Sequence, residues 1–342
     1  MVNSDLMEAS ENLSFFQFSK PWNYATPSFK LAAEPEWACK IPGAYVTQFK
    51  NASLYGAHGV VLLDKKIFQD SLWIWSPLYK APQDIFPLPA ETYFDGIIAT
   101  VALEGTSNYY HWMTETLPRI HLLQQSGIPF DFLYVSPLRY QFQYETLALM
   151  KIKKDQILEG EKTTHIIPKT LVFPSQVARS CVTPQWVIDF LRTLFLGNRQ
   201  SVTPIRKIFI SRSKSSIRHI INEDEVFNLI EPYGFEKIHL EHLSVTEQAQ
   251  LINESKVIIG THGAGMTNIV FAHPEAVIIE LFQEHLDSTF FELSTTMKLA
   301  YYPLKTKTLE YLSQQTIDIR FRNTTIDIDN LAKKLIPLLE KL

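Results

Sequence analysis

Between residues 44 and 103 the chain carries short β-branched and aromatic runs. They are Ala44-Tyr-Val-Thr-Gln-Phe49, Gly59-Val-Val-Leu-Leu63 and Gly96-Ile-Ile-Ala-Thr-Val-Ala-Leu103, each bounded by Gly, Pro or Asp. Runs of that length and composition predict strands. Pro82, Pro87 and Pro89 mark a loop between two of them. The apolar period then lengthens. The pattern predicts a helix over 108–126 that stops at Gly127, a strand at Phe132–Val135 and a helix at 140–150. Short strands follow at Ile166-Ile167 and Leu171–Phe173, then a helix over 184–197 ending at Gly197.

The second half has a stricter rhythm. Lys207–Ser211, Lys237–Leu240, Lys256–Gly260 and Ala276–Leu281 read as strands. Between the first two, Asn222 followed by Glu225 resembles a helix cap, with Val226, Phe227, Leu229 and Ile230 as an apolar stripe up to Gly234. Ser244-Val-Thr-Glu247 is a capping box: the serine oxygen accepts an N–H while the glutamate reaches back to the cap. Its helix turns Val245, Ala249, Leu251 and Ile252 to the core, and a further helix follows the glycines after residue 260. Strands alternating with helices over short connections give a parallel sheet covered on both faces, an α/β fold. The polar segment 198–205, with Pro204, reads as a linker. The expected domains are 1–203, with an irregular leading segment over 1–30, and 204–325; a terminal helix over 326–342 is expected to brace the first domain.

Composition narrows the class. Across 342 residues, 46% are hydrophobic and 20% charged, which fits a folded protein with a sizeable core. A net charge of −4 supplies no basic footprint, so nucleic acid is not an expected partner. Cys39 and Cys181 alone form neither a disulfide framework nor a metal cluster, and a reducing cytoplasm is the expected setting. The first residues lack the basic and apolar regions of a secretory signal, and no window of about 18 apolar residues exists. Peripheral contact at the inner face of a membrane stays open.

Ligands of parallel α/β sheets bind beyond the carboxyl ends of the strands. Ser211-Arg212, Gly260 to Asn268 and Glu280-Leu281 all stand there. In the middle stretch a strand feeds Gly260, Gly263 and Gly265 and then a helix, so backbone N–H groups face outward and the helix dipole favours an anion. It is neither a G-x-G-x-x-G nor a Walker loop, and a tight turn would use the same glycines. Arg212, Lys214 and Arg218 suit a diphosphate on the same rim, where a solvated basic loop is the alternative. Glu280, inside an apolar strand, needs a partner such as ribose hydroxyls, where a salt bridge or a solvent-facing strand end is the alternative. His262 suits a phosphate, a sugar hydroxyl or a backbone contact. In the first half His111 and Glu115 stand four apart on one helix face, where either can be the general base held by the other, or both a surface pair. Pro118 is expected to disturb that helix beside Arg119. No D-x-D pair lies near a strand end, so neither a metal nor another cofactor is expected, with Mg²⁺ or Mn²⁺ not excluded.

Together, Asn108-x-x-His111-x-x-x-Glu115, Ser211-Arg212, Asn222-Glu223, Ile259-Gly-Thr-His-Gly-Ala-Gly-Met-Thr-Asn268 and His273-Pro274 to Ile279-Glu280-Leu281 resemble glycosyltransferase family 61. Bacterial members of that family are often labelled capsular polysaccharide biosynthesis proteins. The resemblance covers about 95–285. It implies a GT-B fold, two Rossmann-like domains across a cleft, and inverting transfer from a nucleotide sugar, usually a UDP sugar, to a glycan or lipid-linked saccharide. Glu115 is then the expected base, with His111 as rival, since relatives often carry the shorter Asp at that position. Asn108 and Arg119 lie on the acceptor side. The donor diphosphate falls to Arg212, Lys214, Arg218, His262, Gly263, Ala264, Gly265, Met266, Thr267 and Asn268, and the ribose to Glu280. Two other classes use similar parts. A non-catalytic nucleotide- or sugar-binding protein would bind without turnover, and a Rossmann-fold nucleotide-sugar-modifying enzyme would carry the G-x-G-x-x-G this chain lacks.

Overall fold

The structure, a computed structural model, describes residues 16–17, 44–73, 76, 88–178, 182–200, 202–282, 287–309, 318 and 321–342. Pro82, Pro87, Cys39, Cys181 and the leading segment apart from Phe16–Gln17 lie outside the described residues. The described residues up to 178 gather into one compact unit, and those from 182 onward into a second. No helix among them is long and apolar enough to cross a membrane.

The first unit is a nine-stranded mixed sheet. Its strands are β1 (Phe16–Gln17), β2 (Tyr45–Phe49), β3 (Ala52–Tyr55), β4 (Val60–Leu63), β5 (Lys66–Ile67), β6 (Thr92–Thr100), β7 (Phe132–Val135), β8 (Ile157–Glu159) and β9 (His165–Pro174). The order is β5-β4-β3-β9-β6-β7-β8, with β2 joining β9 and β1. The run β9-β6-β7-β8 is parallel, whereas β2, β3, β4 and β5 pair antiparallel. The antiparallel flank follows from chain length: β2 to β5 are joined by tight turns, and a parallel pairing needs a crossover of a dozen residues or more. Only the parallel run is Rossmann-like. Its crossovers are α1, in three consecutive pieces (Tyr109–His111, Trp112–Thr116 and Leu117–Ser126), and α2 (Gln141–Leu149). α1 ends at Gly127 in the left-handed conformation, as its pattern predicts. The two short strands expected near 166 and 171 are one continuous β9.

The second unit begins with α3 (Gln185–Leu196), followed by β10 (Arg206–Ile210), α4 (Glu223–Ile230), β11 (Phe235–Ile238), α5 (Val245–Asn253) and β12 (Ser255–Thr261). A 3-10 helix over Ala264–Phe271, β13 (Val277–Phe282), α6 (Thr289–Met297), β14 (Ala300–Lys305), β15 (Thr308–Leu309), β16 (Thr325–Ile326) and α7 (Ile328–Leu339) complete it. The main sheet has the order β11-β10-β12-β13-β14 and is parallel throughout. Val257, Ile258, Ile259, Ile278 and Ile279 are near-continuous apolar runs because both faces of a parallel sheet are covered, and all five are buried.

Three expectations are corrected here. The domain boundary falls before α3, earlier than 203/204, because Arg192 of α3 donates to the carbonyls of Val270 and Ala272 at 3.0 and 2.8 Å and so fastens that helix to the second unit. The terminal helix packs into the second unit: Leu331, Leu335 and Leu339 of α7 join a core with Phe209, Val226, Ile259 and Ile279. Asn222 does not cap α4 with its side chain. Its amide instead exchanges hydrogen bonds with the backbone of Ile326, donating at 2.9 Å and accepting at 2.9 Å, and so pins β16 beside the helix.

Candidate functional site

At the carboxyl end of β10 the chain turns through Ser211 and Arg212. Glu223, the first residue of α4 and 5% exposed, holds that turn: its carboxylate accepts from Ser211 Oγ at 2.5 Å and from the Arg212 N–H at 2.9 Å. A carboxylate at a helix start is also favoured by the dipole. The Arg212 side chain is thereby aimed across the rim. Its Nη2 donates to Ser215 Oγ at 3.0 Å and to the Ile217 carbonyl at 3.1 Å. Its Nη1 lies 1.9 Å from where a Cβ on Gly263 would stand. Gly263 has φ 167, extended backbone open to any residue, so what requires glycine here is the guanidinium resting on it. Arg212 Nε is buried and has no hydrogen-bond partner.

Desolvation dominates the electrostatics of the two arginines. Burial, and then the neighbouring Arg218, push the Arg212 guanidinium down to about 10, with Glu241 and Glu223 opposing. Burial holds Arg218 below the usual arginine range, while Asp287 and Glu280 pull it upward. Arg212 thus stands at the start of a helix whose first amides carry partial positive charge, with Arg218 near enough to act on it and Glu241 and Glu223 offsetting part of that charge.

The cradle is shorter than the sequence suggests. The helix after Gly263 is 3-10, and Met266 N–H already donates to the Gly263 carbonyl at 2.9 Å. A 3-10 helix uses its amides in i→i+3 bonds from there onward. Met266, Thr267 and Asn268 are buried, and Asn268 Nδ2 donates to Gln248 Oε1 at 2.9 Å. The amides left outside the helix's own bonds are those of Gly263, Ala264 and Gly265, and Gly263 itself is buried under Arg212. Lys214 is exposed, and its Nζ lies against His242 Nε2.

Glu280 takes the salt-bridge alternative. It is fully buried; one oxygen meets His262 Nδ1 at 2.7 Å and the other accepts from the Tyr301 hydroxyl. Both oxygens are used inside the fold, so the ribose contact expected of Glu280 is corrected. Burial and the Glu280 charge push the Tyr301 phenol far above its ordinary range, so it stays a donor. The 13%-exposed His262 is what this buried group presents toward the rim.

In the first unit, α1 passes through a π turn over Trp112–Thr116 immediately before Pro118. Proline lacks an N–H and crowds the carbonyl four residues back, and the wider i→i+5 turn absorbs both. Glu115 sits in this turn, 2% exposed, and its Oε1 meets His111 Nδ1 at 2.7 Å. His111 is 13% exposed and is flanked edge-on by Trp73 and Tyr110 at ring-centroid distances of 5.1 and 5.3 Å. Gly105, at φ 80, lies beneath Trp73 and His111, where a Cβ would stand 3.2 and 3.4 Å from the two rings. Burial pushes the His111 imidazole down, but the Glu115 charge and hydrogen bond together outweigh it, and the net shift is upward.

The other two first-unit candidates have structural duties. Asn108 is the N-cap of α1: its Oδ1 accepts the Tyr110 N–H at 2.8 Å, while the residue stays exposed at the helix tip. Arg119 is corrected outright. It is 1% exposed and donates to the carbonyls of Pro174, Val101 and Thr100 at 3.1, 2.9 and 3.3 Å, tying the ends of β6 and β9 together. No face of it is left for an acceptor. Sequence reasoning missed Glu223 as the holder of Arg212, although it stands in the Asn222-Glu223 pair of the resemblance; Tyr301 and Trp73 gave no signal, being aromatics among many.

The parallel sheet with a cationic, amide-lined rim defines an α/β protein with a candidate anion site at its strand ends. Residues 109–279, half of the chain, match the family described as Glycosyltransferase 61, and the chain belongs to that family. It is 33% identical over 99 residues to a beta-1,2-xylosyltransferase of Arabidopsis thaliana, covering 25% of this chain and 18% of the relative. It is 28% identical over 110 residues to the EGF domain-specific O-linked N-acetylglucosamine transferase of Drosophila melanogaster, covering 31% and 21%. Over 104 residues it is 32% identical to an alpha-1,3-arabinosyltransferase of Oryza sativa subsp. japonica, covering 27% and 18%. These matches span about a fifth of the relatives' own length.

Proposed function

We propose that the chain is an inverting glycosyltransferase that moves a sugar from a nucleotide donor, a UDP sugar, to a hydroxyl of a glycan or lipid-linked saccharide. What carries this proposal is the Arg212 guanidinium lying on Gly263, beside Arg218 and at a helix start. Positive charge fixed in place before the reaction stabilises negative charge that grows on a leaving diphosphate. We take the two units as the halves of a GT-B fold, with the donor on the second and the acceptor on the first.

The acceptor hydroxyl gives its proton to the His111–Glu115 pair. Its oxygen forms a bond to the sugar C1 on the face opposite the diphosphate. The C1–phosphate bond breaks, and its electron pair leaves with the diphosphate, which Arg212, Arg218, His262 and the Gly263–Gly265 amides receive. Of the pair, His111 is the more exposed, at 13% against 2%, so we assign the proton to His111 and its orientation to Glu115.

Calorimetric titration with UDP tests the rim. Arg212→Ala is expected to weaken binding by about tenfold or more, the worth of a charge-assisted hydrogen bond. Unchanged affinity would remove the rim as the donor site. Release of free sugar from a nucleotide-sugar panel, absent in His111→Ala, separates an enzyme from a protein that only binds.

A further inference from the structure

The loops after β6 and β7 leave adjacent parallel strands at their carboxyl ends, so they share a rim. The first carries Asn108 and leads into His111; the second leads into α2. Gln143, fully buried, staples the two loops together. Its Oε1 accepts the N–H groups of Arg139 and Tyr140 at 2.8 and 3.0 Å, and its Nε2 donates to the Thr106 carbonyl at 3.1 Å. A second tie runs between the helices themselves, Trp112 Nε1 donating to Thr146 Oγ1 at 2.8 Å.

On this stapled rim Tyr140 runs parallel to Phe142 in an offset stack, with ring centroids 5.6 Å apart and planes 8° from parallel. Phe142 in turn meets Tyr109, two residues before His111, edge-on at 5.1 Å. Tyr140 is 50% exposed and Tyr144, one turn along α2, is 41% exposed. Phe142 backs part of the Tyr140 ring in an offset stack, and half of the residue stays open to solvent. A bare aromatic face backed by a second ring, on a backbone fixed by a buried amide, is already in its binding shape, and a partner spends little ordering entropy on it. The flat C–H face of a pyranose matches such a ring. Its hydroxyl rim matches the exposed Asn108 and Arg139 beside it.

We propose that Tyr140, backed by Phe142, is a stacking subsite for a sugar ring of the acceptor lying beyond the residue whose hydroxyl reacts at His111. The acceptor is then an oligosaccharide and not a single sugar. This rests on the transferase function proposed above, with the acceptor on the first unit.

The test uses the whole chain with β-1,4-xylotetraose, arabinotetraose and chitotetraose as probes, free xylose as the short control and UDP as the control for the donor rim. At least one tetrasaccharide is expected to bind, and Tyr140→Ala is expected to weaken it by about three- to tenfold, the worth of one aromatic contact. Tyr140→Phe should retain binding, because the ring and not the hydroxyl makes the contact. UDP affinity should be unchanged in both variants, and the melting temperature should fall only slightly in Tyr140→Ala, which loses its stack on Phe142. Equal tetrasaccharide affinity in Tyr140→Ala would overturn the subsite, as would wild-type protein that binds UDP and none of the three tetrasaccharides. A dimer dissociating in Tyr140→Ala would also overturn it, by making this face a contact between copies. Failure of the wild type to bind UDP would instead sink the transferase proposal itself.

Discussion

Burial and Glu115 pull the His111 proton in opposite directions. Burial pushes the imidazole down from 6.5, while the Glu115 charge and hydrogen bond bring it above that value. The folded value exceeds the unfolded one, so the pair's contribution to stability is fully present below pH 6.5 and is lost as pH rises through the raised folded value. Catalysis runs the other way, because a base must be unprotonated. The rate is expected to climb with pH through a midpoint above 6.5. Glu115→Gln removes the upward pull and leaves burial, so the midpoint should move below 6.5 while some turnover survives. A pH–rate profile checks this, and activity abolished at every pH would make Glu115 the base instead. Arg119 gives a second prediction at this scale. Arg119→Ala leaves the carbonyls of Pro174, Val101 and Thr100 without their buried donor, and a loss of about 3 kcal/mol or more in urea unfolding is expected. The contrast between these residues shows what a sequence displays. The spacing of His111 and Glu115 places them on one helix face. Arg119 and Glu280 show their charge in the sequence but not their burial, so each was given a ligand when its partners lie inside the fold.

The strand–turn–helix around Gly263 was legible as an element because three glycines interrupt an apolar run at the end of a strand. The kind of helix was not. Ala264–Phe271 closes as 3-10, which moves the ligand-facing amides to the first three positions and buries Thr267 and Asn268. The π turn of α1 was likewise hidden, although Pro118 marked its place. The close approach at Gly263 separates two glycines that look alike in the sequence. A Cβ at Gly263 would collide with Arg212 at 1.9 Å, whereas a Cβ at Gly265 would make ordinary contacts at 3.4 Å with Leu240 and 3.7 Å with Ile210. Gly263, at φ 167, is extended, and Gly265 is not among the left-handed glycines, so alanine is conformationally allowed at both. Gly263→Ala should therefore displace the guanidinium and weaken UDP binding as much as Arg212→Ala does. Gly265→Ala should bind within about threefold of wild type, as expected of a substitution without a clash. Equal loss in both variants, measured by the same titration, would mean that glycine is needed for the ligand's approach and not for Arg212.

For the whole molecule, the second unit was easier to read than the first. Its strands β10, β12 and β13 are buried on both faces and separated by helices, one of them opened by the Ser244–Glu247 capping box, so the apolar pattern fixes a parallel sheet. In the first unit the same β-branched runs serve two pairing modes, and the turn lengths that decide between them carry less signal than the strands. α7 shows the limit of reading by position. An amphipathic helix at the end of a chain advertises an apolar stripe, here Leu331, Leu335 and Leu339, without saying which core it covers. The stripe meets Phe209, Val226, Ile259 and Ile279, the core beneath the proposed diphosphate rim. Leu335, fully buried, is its middle residue. Leu335→Ala should cost about 2–5 kcal/mol, the price of a cavity at a buried leucine. The loss should be confined to the unit that α7 covers. Hydrogen exchange followed residue by residue is expected to speed up in β10, β12 and β13 and to remain at wild-type rates in β6, β7 and β9. Because Arg212 hangs from the end of β10, UDP binding should weaken along with that protection, while the pH profile set by His111 keeps its shape. Faster exchange in β6 and β7 with β12 untouched would return the helix to the role of a brace on the first unit.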